Sequence, residues 1–458
     1  MIDLNNISHL YFVGIGGIGM SALARFFKQN GKVVHGYDKT STELTDTLHS
    51  EGFNISFEDS IEKLPAFAQS PNKNTLVVFT PAIQSDSKIL NHFKNTGFQI
   101  VKRSEALALI TANNFTIAVA GTHGKTSTTT YLAHILKSNN IGSASFLGGI
   151  ASNYNTNYVS HKPSVNNIVV VEADEFDRSF LRLKPNISII TSCEADHLDI
   201  YENYNNLKQA YNDFANCTVK GGTLILHQSL FGLFDIRDDI KVQYYGENCN
   251  DIQIENIKVE KNAFWFDLNH FNLNNIKNGL PGKHNVLNAT AAISAALNAT
   301  KVADIKASLA SFKGIKRRFE VVYNNHNCVY IDDYAHHPTE IKAAIETAKA
   351  LYPKKPITVI FQPHLFTRTR DLAQGFKNAL SMADEMIIMP IYPAREVPIK
   401  GITSQILKPK ADTQILNHES VIQYIKQNKP KVLLTLGAGN IDKLTKPIAK
   451  ILKTLANA

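Results

Sequence analysis

Residues 115–126 read Phe115-Thr-Ile-Ala-Val-Ala-Gly-Thr-His-Gly-Lys-Thr126, and a helix-length segment follows to Leu136. The apolar run Phe115 to Ala120 predicts a buried strand. Gly121 and Gly124 predict a tight turn after it. Strand, glycine turn, Lys-Thr and helix together make a cradle for a triphosphate. Glycines let backbone N–H groups come close to phosphate oxygens, and a helix N-terminus adds its positive end. In such a cradle Gly121, Thr122, His123, Gly124 and Ser127 surround the phosphates. Lys125 reaches the β- and γ-phosphates, and the Thr126 hydroxyl goes to Mg²⁺. Two residues stand between the glycines here, where the common form of the motif has about four, so the loop is a shortened variant.

The chain around this loop is long enough, at 458 residues, for roughly two to four domains. The start, Met1-Ile-Asp-Leu-Asn-Asn, has no basic region followed by an apolar core, which predicts no signal peptide. No apolar run is long enough to span a bilayer. Cys193, Cys217, Cys249 and Cys328 lie far apart without metal-ligand spacing, as reduced thiols of a cytoplasmic protein do. The formal charge of +8 suits anionic ligands. The lysines are scattered, so nucleic acid is not an expected partner.

Towards the N-terminus, His9-Leu-Tyr-Phe-Val-Gly-Ile-Gly-Gly-Ile-Gly19 precedes Met20 to Phe27 at helical spacing, and Lys32 to Asp38 reads as a strand. Gly14, Gly16 and Gly19 match the dinucleotide fingerprint, Gly17 lies within it, and Asp38 stands near the place of a ribose-binding acid. Further strands at Thr75–Pro81 and Phe98–Val101 complete a βαβ domain ending near Ala106. The fold serves many ligands, so NAD does not follow from it. Beyond the phosphate loop, Asn167–Glu172, Ile187–Ser192 and Thr223–Leu226 predict a mostly parallel sheet. Ile252 to Leu268 reads as a hairpin insertion, and Asn285 to Asn298 as an Ala-rich helix. A third α/β unit begins near Gly314, with strands at Cys328–Asp332, Ile357–Phe361, Glu385–Pro390 and Val432–Leu436.

Polar clusters follow several of these strands. Glu172 ends one, in Glu172-Ala-Asp-Glu175, placed to hold Mg²⁺ directly or through water. Asp174 and Glu175 read more simply as a helix-capping cluster. His197, in Glu194-Ala-Asp-His197, reads as a metal ligand or phosphate contact. The Asn amides of Lys283-His-Asn-Val-Leu-Asn288 have both donor and acceptor for an adenine edge. Arg317-Arg318 can bring a cation to the nucleotide. Asp332-Asp-Tyr-Ala-His-His337 and His364, Arg368 and Arg370 crowd ionisable groups just after buried strands, which points to a site.

Taken together, Gly-Thr-His-Gly-Lys-Thr at 121–126, Glu-Ala-Asp-Glu at 172–175, Glu-Ala-Asp-His at 194–197, His-Asn-Val-Leu-Asn at 284–288, Arg-Arg-Phe-Glu at 317–320 and Asp-Asp-Tyr-Ala-His-His-Pro at 332–338 resemble the Mur ligases. These are ATP-dependent amide-bond-forming enzymes of peptidoglycan synthesis. The resemblance covers nearly the whole chain. It implies three α/β domains: a Rossmann-like UDP-sugar domain at 1–107, an ATP-binding P-loop domain at 108–314 and a Rossmann-like amino-acid domain at 315–458. The opening glycine loop and the 333–338 segment are most similar to the member that acts on UDP-N-acetylmuramate and L-alanine through an acyl phosphate. By resemblance Lys125 meets the phosphates, and Thr126, Glu172 and His197 hold Mg²⁺. Asn288 meets adenine, Arg318 a phosphate or ribose, and Asp333 the ribose. His336, His364 and Arg368 line the carboxylate and amino-acid end. Gly14, Gly16, Gly17, Gly19 and Asp38 bind the UDP-sugar. Leu365 stands where many relatives carry Arg. Tyr211 stands where later-acting relatives carry a carbamylated Lys, so no carbamate is expected. The chain is expected to act in the cytoplasm as a monomer or homodimer.

Two rival functions share parts of this pattern. A recycling ligase attaches a whole tripeptide to the same sugar, and the short gap from Arg178 to Lys184 argues against it. A dehydrogenase leaves the Lys125 loop and the Asp332 cluster without a role.

Overall fold

Five strands at the start form one wholly parallel sheet: β1 His9–Val13, β2 Val33–Tyr37, β3 Asn54–Ser56, β4 Thr75–Phe79 and β5 Gln99–Lys102, in the order β3-β2-β1-β4-β5. This is a computed structural model, and it describes residues 2–161, 167–195, 198–394 and 396–456. Parallel strands are covered on both faces, so they read as unbroken apolar runs, and Leu10 to Val13 are all buried. The strand order reverses between β1 and β4. Ligands of such sheets bind in the crevice at that reversal, beyond the carboxyl ends of the strands. Gly14 and Thr80 follow those two ends.

The second sheet has eight strands: β6 Phe115–Ala120, β7 Ser143–Ala151, β8 Thr156–His161, β9 Ile168–Glu172, β10 Ile187–Ile190, β11 Thr223–His227, β12 Lys241–Gly246 and β13 Ile252–Gln253. Their order is β13-β12-β11-β10-β6-β9-β7-β8. Only the β7–β8 hairpin is antiparallel among the described pairings. Strand β6 lies between β9 and β10, so the loop after it is flanked by the ends of both. That neighbourhood positions the site.

By contacts the chain divides into two compact units. The first is Met1–Ile254, Leu268–Leu273 and Asn288–Ser311, and the second is Glu255–Asp267, Asn274–Leu287 and Phe312–Ala458. The first unit holds both sheets, and one large apolar cluster runs through the two, with smaller clusters beside it. The helix Ile18–Gln29 joins them. Its Phe26 ring meets Phe146 at 5.5 Å and Tyr158 at 6.2 Å. Buried Arg25 forks onto Glu51 at 2.7 and 2.8 Å and also donates to Asn157, and Asn157 in turn donates to Ser21 Oγ at 2.8 Å and to the carbonyl of Ile18. A bidentate pair with its spare donor satisfied is among the stronger polar contacts a protein makes.

In the second unit, β14 Glu255–Glu260 and β15 Ala263–Leu268 pair antiparallel. The expected hairpin is there but carries a third strand, β16 Leu273–Lys277. Of β16 only Ile276 is buried, so no alternation marks it in the sequence. Ile252–Gln253 is the edge of the central sheet instead. The last sheet contains β17 Glu320–Asn324, β18 Val329–Asp333, β19 Ile357–Phe361, β20 Glu385–Ile388, β21 Gln414–Ile415 and β22 Val432–Leu436, in the order β17-β18-β22-β19-β20-β21. It is parallel except for β17. Among the described residues no helix is long and apolar enough to cross a membrane.

Candidate active site

The loop after β6 is held open by glycine geometry. Gly121 has φ +133° and Gly124 has φ +83°, which side chains strongly disfavour. A Cβ on Gly121 would stand 2.1 Å from Thr191 Oγ1, and one on Gly124 would stand 2.4 Å from Asn288 Oδ1. The loop is zipped to the end of β10. Thr122 N–H donates to the Ser192 carbonyl at 3.2 Å, His123 N–H to Ser192 Oγ at 2.9 Å, and Glu194 N–H to Thr122 Oγ1 at 2.9 Å. The helix Lys125–Ser138 then begins. Its first N–H groups have no carbonyl within the helix and point out of its N-terminus. Phosphate loop, dipole and donors therefore coincide.

Lys125 lies inside this loop, its Nζ donating to the Gly121 carbonyl at 2.6 Å and to Glu175 Oε1 at 2.8 Å. Burial alone lowers a lysine's proton affinity. Here Glu175, then Asp174 and Glu172, outweigh that and raise it. Glu175 is therefore not the helix cap its cluster suggested. Thr126 Oγ1 donates to both oxygens of Glu172 at 3.0 Å, and Gly148 N–H donates to Glu172 Oε2 at 3.0 Å. A hydroxyl and a carboxylate side by side form the hard oxygen donor set Mg²⁺ prefers. His197, the third expected ligand, lies outside the described residues.

The glycine loop after β1 is largely self-satisfied. Gly14 and Ile15 N–H donate to the Tyr37 carbonyl, Gly17 N–H to the Gly14 carbonyl, and Gly16 N–H to Asp38 Oδ2 at 2.8 Å. Asp38 thus clamps the loop. Beyond it a cavity of about 350 Å³ opens, lined by Gly17, Met20, Arg103, Phe146, Gly148 and Glu172 among others. It runs from the N-terminus of Ile18–Gln29 to the carboxylate beside Thr126. The Arg103 guanidinium lies over Gly19, where a Cβ would stand 2.9 Å from Nη1. Among the described residues its side chain makes no hydrogen bond or ion pair. Sequence reasoning passed over Arg103. The available signal was a cation directly after a strand that ends at the sheet's carboxyl edge.

Asn288 belongs to the first unit, against the phosphate loop: its Oδ1 accepts from Thr128 Oγ1 at 3.3 Å. In the second unit, Arg317 Nε meets Asp332 Oδ2 at 3.0 Å, and Arg318 lies over the Tyr334 ring at 5.2 Å. Asp333 accepts from Phe319 N–H at 2.8 Å and Ala335 N–H at 2.7 Å. Burial raises its pKa to about 6 against the pull of Arg318. The ends of β18 and β19 bring His336 and His364 within 6.2 Å, ring to ring, and His364 stacks on Tyr392 at 5.7 Å. Burial, then Arg368, lowers His364 to about 4, so its ring is neutral near pH 7. Leu365 is held at φ +70° as the helix Phe366–Asp371 begins.

Comparisons with known proteins match this arrangement along the chain. Residues 9–115 match a family model described as "Mur ligase family, catalytic domain", 119–296 the Mur ligase middle domain, and 317–439 the "Mur ligase, glutamate ligase domain". The chain is 42% identical over 459 aligned residues to a UDP-N-acetylmuramate–L-alanine ligase of Christiangramia forsetii, covering 99% of each. It is 43% identical to the enzyme of that name from Cytophaga hutchinsonii, covering 98% of this chain and 97% of that one. A crystal structure of UDP-N-acetylmuramate-alanine ligase from Thermotoga maritima superposes with a TM-score of 0.79 at 29% identity, over 98% of this chain and 100% of that one.

Proposed function

The chain belongs to the Mur ligase family, and from that premise we propose that it joins L-alanine to the lactyl carboxylate of UDP-N-acetylmuramate as ATP is cleaved to ADP and phosphate. Relatives of that name match it over nearly its whole length. The observation that carries the assignment is the cavity of about 350 Å³. At one end stand the helix Ile18–Gln29 and Arg103, suited to a diphosphate. At the other stands Glu172 beside the phosphate loop. A sugar nucleotide laid along it brings a carboxylate to the γ-phosphate. A nicotinamide cofactor would leave Lys125, Thr126 and Glu172 idle.

In this reading the segments 1–107, 108–314 and 315–458 bind sugar nucleotide, ATP and amino acid in turn. The chemical difficulty is that carboxylate and γ-phosphate are both anions. Lys125 sets a buried positive charge against the γ-phosphate as its bonds rearrange. Thr126, Glu172 and His197 would hold Mg²⁺, which when bound supplies further positive charge there. The carboxylate oxygen bonds to phosphorus and the bond to ADP breaks, giving an acyl phosphate. The neutral amine of L-alanine then attacks the acyl carbon, the C–N bond forms, and phosphate leaves with the acyl oxygen and the one proton that the nitrogen gives up. His336, His364 and Arg368 orient the amino acid, while Asn288, Arg318 and Asp333 serve the nucleotide. The protein acts in the cytoplasm as a monomer or homodimer.

The test is phosphate release from ATP with UDP-N-acetylmuramate, comparing L-alanine, glycine, L-serine and a murein tripeptide. L-alanine should give the highest kcat/KM. A preference for the tripeptide would replace this proposal with the recycling ligase, and no release with any acceptor would sink both.

A further inference from the structure

Glu172 ends β9 and Asp174 and Glu175 follow it, all three near the phosphate loop, and the structure separates their roles. Glu172 is turned to Thr126 and Gly148. Asp174 Oδ1 accepts from Phe176 N–H at 3.1 Å. Glu175, 1% exposed in its side chain, meets Lys125 Nζ at 2.8 Å. The backbone of Glu175 is pinned as well, since the buried Tyr201 hydroxyl donates to its carbonyl at 2.5 Å. Its second oxygen, Oε2, is buried without a hydrogen-bond partner among the described residues. Such a carboxylate depends on its one cation. Removing that cation would leave an uncompensated buried charge, which is strongly unfavourable.

From this geometry we infer that Glu175 is a positioning residue that keeps Lys125 anchored through nucleotide binding and turnover. An ammonium has three N–H groups. Two are taken up, by Gly121 and Glu175, and one is left for a phosphate oxygen. Lys125 therefore meets the γ-phosphate from a fixed point, with its side-chain entropy already lost on folding. The alternative, that Glu175 only parks the lysine in the empty enzyme and releases it to ATP, leaves the carboxylate stranded. The inference rests on Lys125 meeting the phosphates.

The experiment is a kinetic double-mutant cycle with Glu175→Gln, Lys125→Ala and the double variant, alongside thermal shifts with ADP–Mg²⁺. Glu175→Gln should lower kcat by about tenfold or more and leave the KM for UDP-N-acetylmuramate unchanged. In the double variant it should add nothing to the loss from Lys125→Ala, because Glu175 acts only through the lysine. A lower KM for ATP with undiminished kcat in Glu175→Gln would overturn the inference in favour of parking. A lower melting point with normal kinetics would overturn it in favour of a purely structural carboxylate. If Lys125→Ala itself turns over normally, the phosphate-loop assignment fails instead. If Glu175→Gln does not fold, Glu175→Asp takes its place in the cycle. It keeps the charge but reaches less far, and its kcat should lie between wild type and Lys125→Ala.

Discussion

Single side chains here do more than one local job, and their second partners show it. Glu172 accepts from the Thr126 hydroxyl and from Gly148 N–H, where a Cβ would stand 2.2 Å from its carboxylate. Glu172 therefore joins the phosphate loop to the lining of the cavity beside it. Glu172→Ala should raise the Mg²⁺ concentration for half-maximal rate by about tenfold or more, the scale at which metal sites respond to lost support. The check is a Mg²⁺ titration of phosphate release at saturating ATP. An unchanged midpoint would remove Glu172 from the metal site. Asp38 teaches a related lesson. Its fingerprint position suggests a ribose, yet one oxygen accepts from Gly16 N–H at 2.8 Å and the other from Thr40 N–H at 3.3 Å.

Among the helices, Lys283–Ala299 carries in its first turn a histidine, His284, whose pKa lies far below its usual range. Gly282 at φ +104° lets the chain turn so closely that a Cβ there would stand 2.6 Å from both His284 Cε1 and Thr347 Oγ1. Burial, against Glu340 and with Arg318, lowers His284 from 6.5 to about 4. Between those values the unfolded chain binds a proton that the native chain refuses. His284 thus contributes stability that is present above pH 6.5 and lost as pH falls towards 4, at most about 3 kcal/mol. Asp333, raised to about 6, works in the opposite sense: its contribution is present below pH 3.8 and lost as pH rises through 6. The difference between wild type and His284→Gln isolates the histidine. Urea midpoints measured from pH 7 to pH 4 should fall less in His284→Gln. Equal losses would mean that His284 protonates freely in the folded protein.

For the molecule as a whole, the question is which ligand the first sheet accepts. Its glycine turn suits any diphosphate approaching a helix N-terminus. In the proposed reading the cavity takes a diphosphate at its Arg103 end and brings a reactive carboxylate towards the Mg²⁺ that Glu172 would hold. UDP-N-acetylmuramate should raise the melting temperature by mass action, worth about 2.7 kcal/mol at a hundredfold excess over Kd. NAD and NADP at equal concentration should leave it unmoved. In Gly16→Val the added Cβ would stand 2.8 Å from Asp38 Oδ2 and 2.7 Å from Thr45 Cγ2, forcing the clamp off the loop. That variant should lose the sugar-nucleotide shift while an ATP–Mg²⁺ shift survives, since the phosphate loop lies on the other sheet. A shift with NAD and none with the UDP-sugar would reverse the assignment.

What the sequence determined by itself is what neighbouring residues settle among themselves. Buried parallel strands are continuous apolar runs, so β1, β6, β9, β10, β18, β19 and β22 were legible, with errors only at their ends. Gly121 and Gly124 were legible because a positive φ is a property of one residue. The place of Glu172, as the polar residue that ends a buried strand, was legible too. The third strand of the meander was not, since β16 buries a single side chain. Nor were the long-range pairings. Nothing local chooses which of Glu172, Asp174 and Glu175 meets Lys125, fifty positions away. That choice follows from β9 lying beside β6, which directs Glu172 to Thr126 and folds Glu175 back under the loop. Arg103 over Gly19, Asp38 on Gly16 and Asn288 against Gly124 have the same origin. Each contact joins residues of separate elements that only the tertiary fold brings together, and a buried charge takes whichever partner that fold leaves within reach.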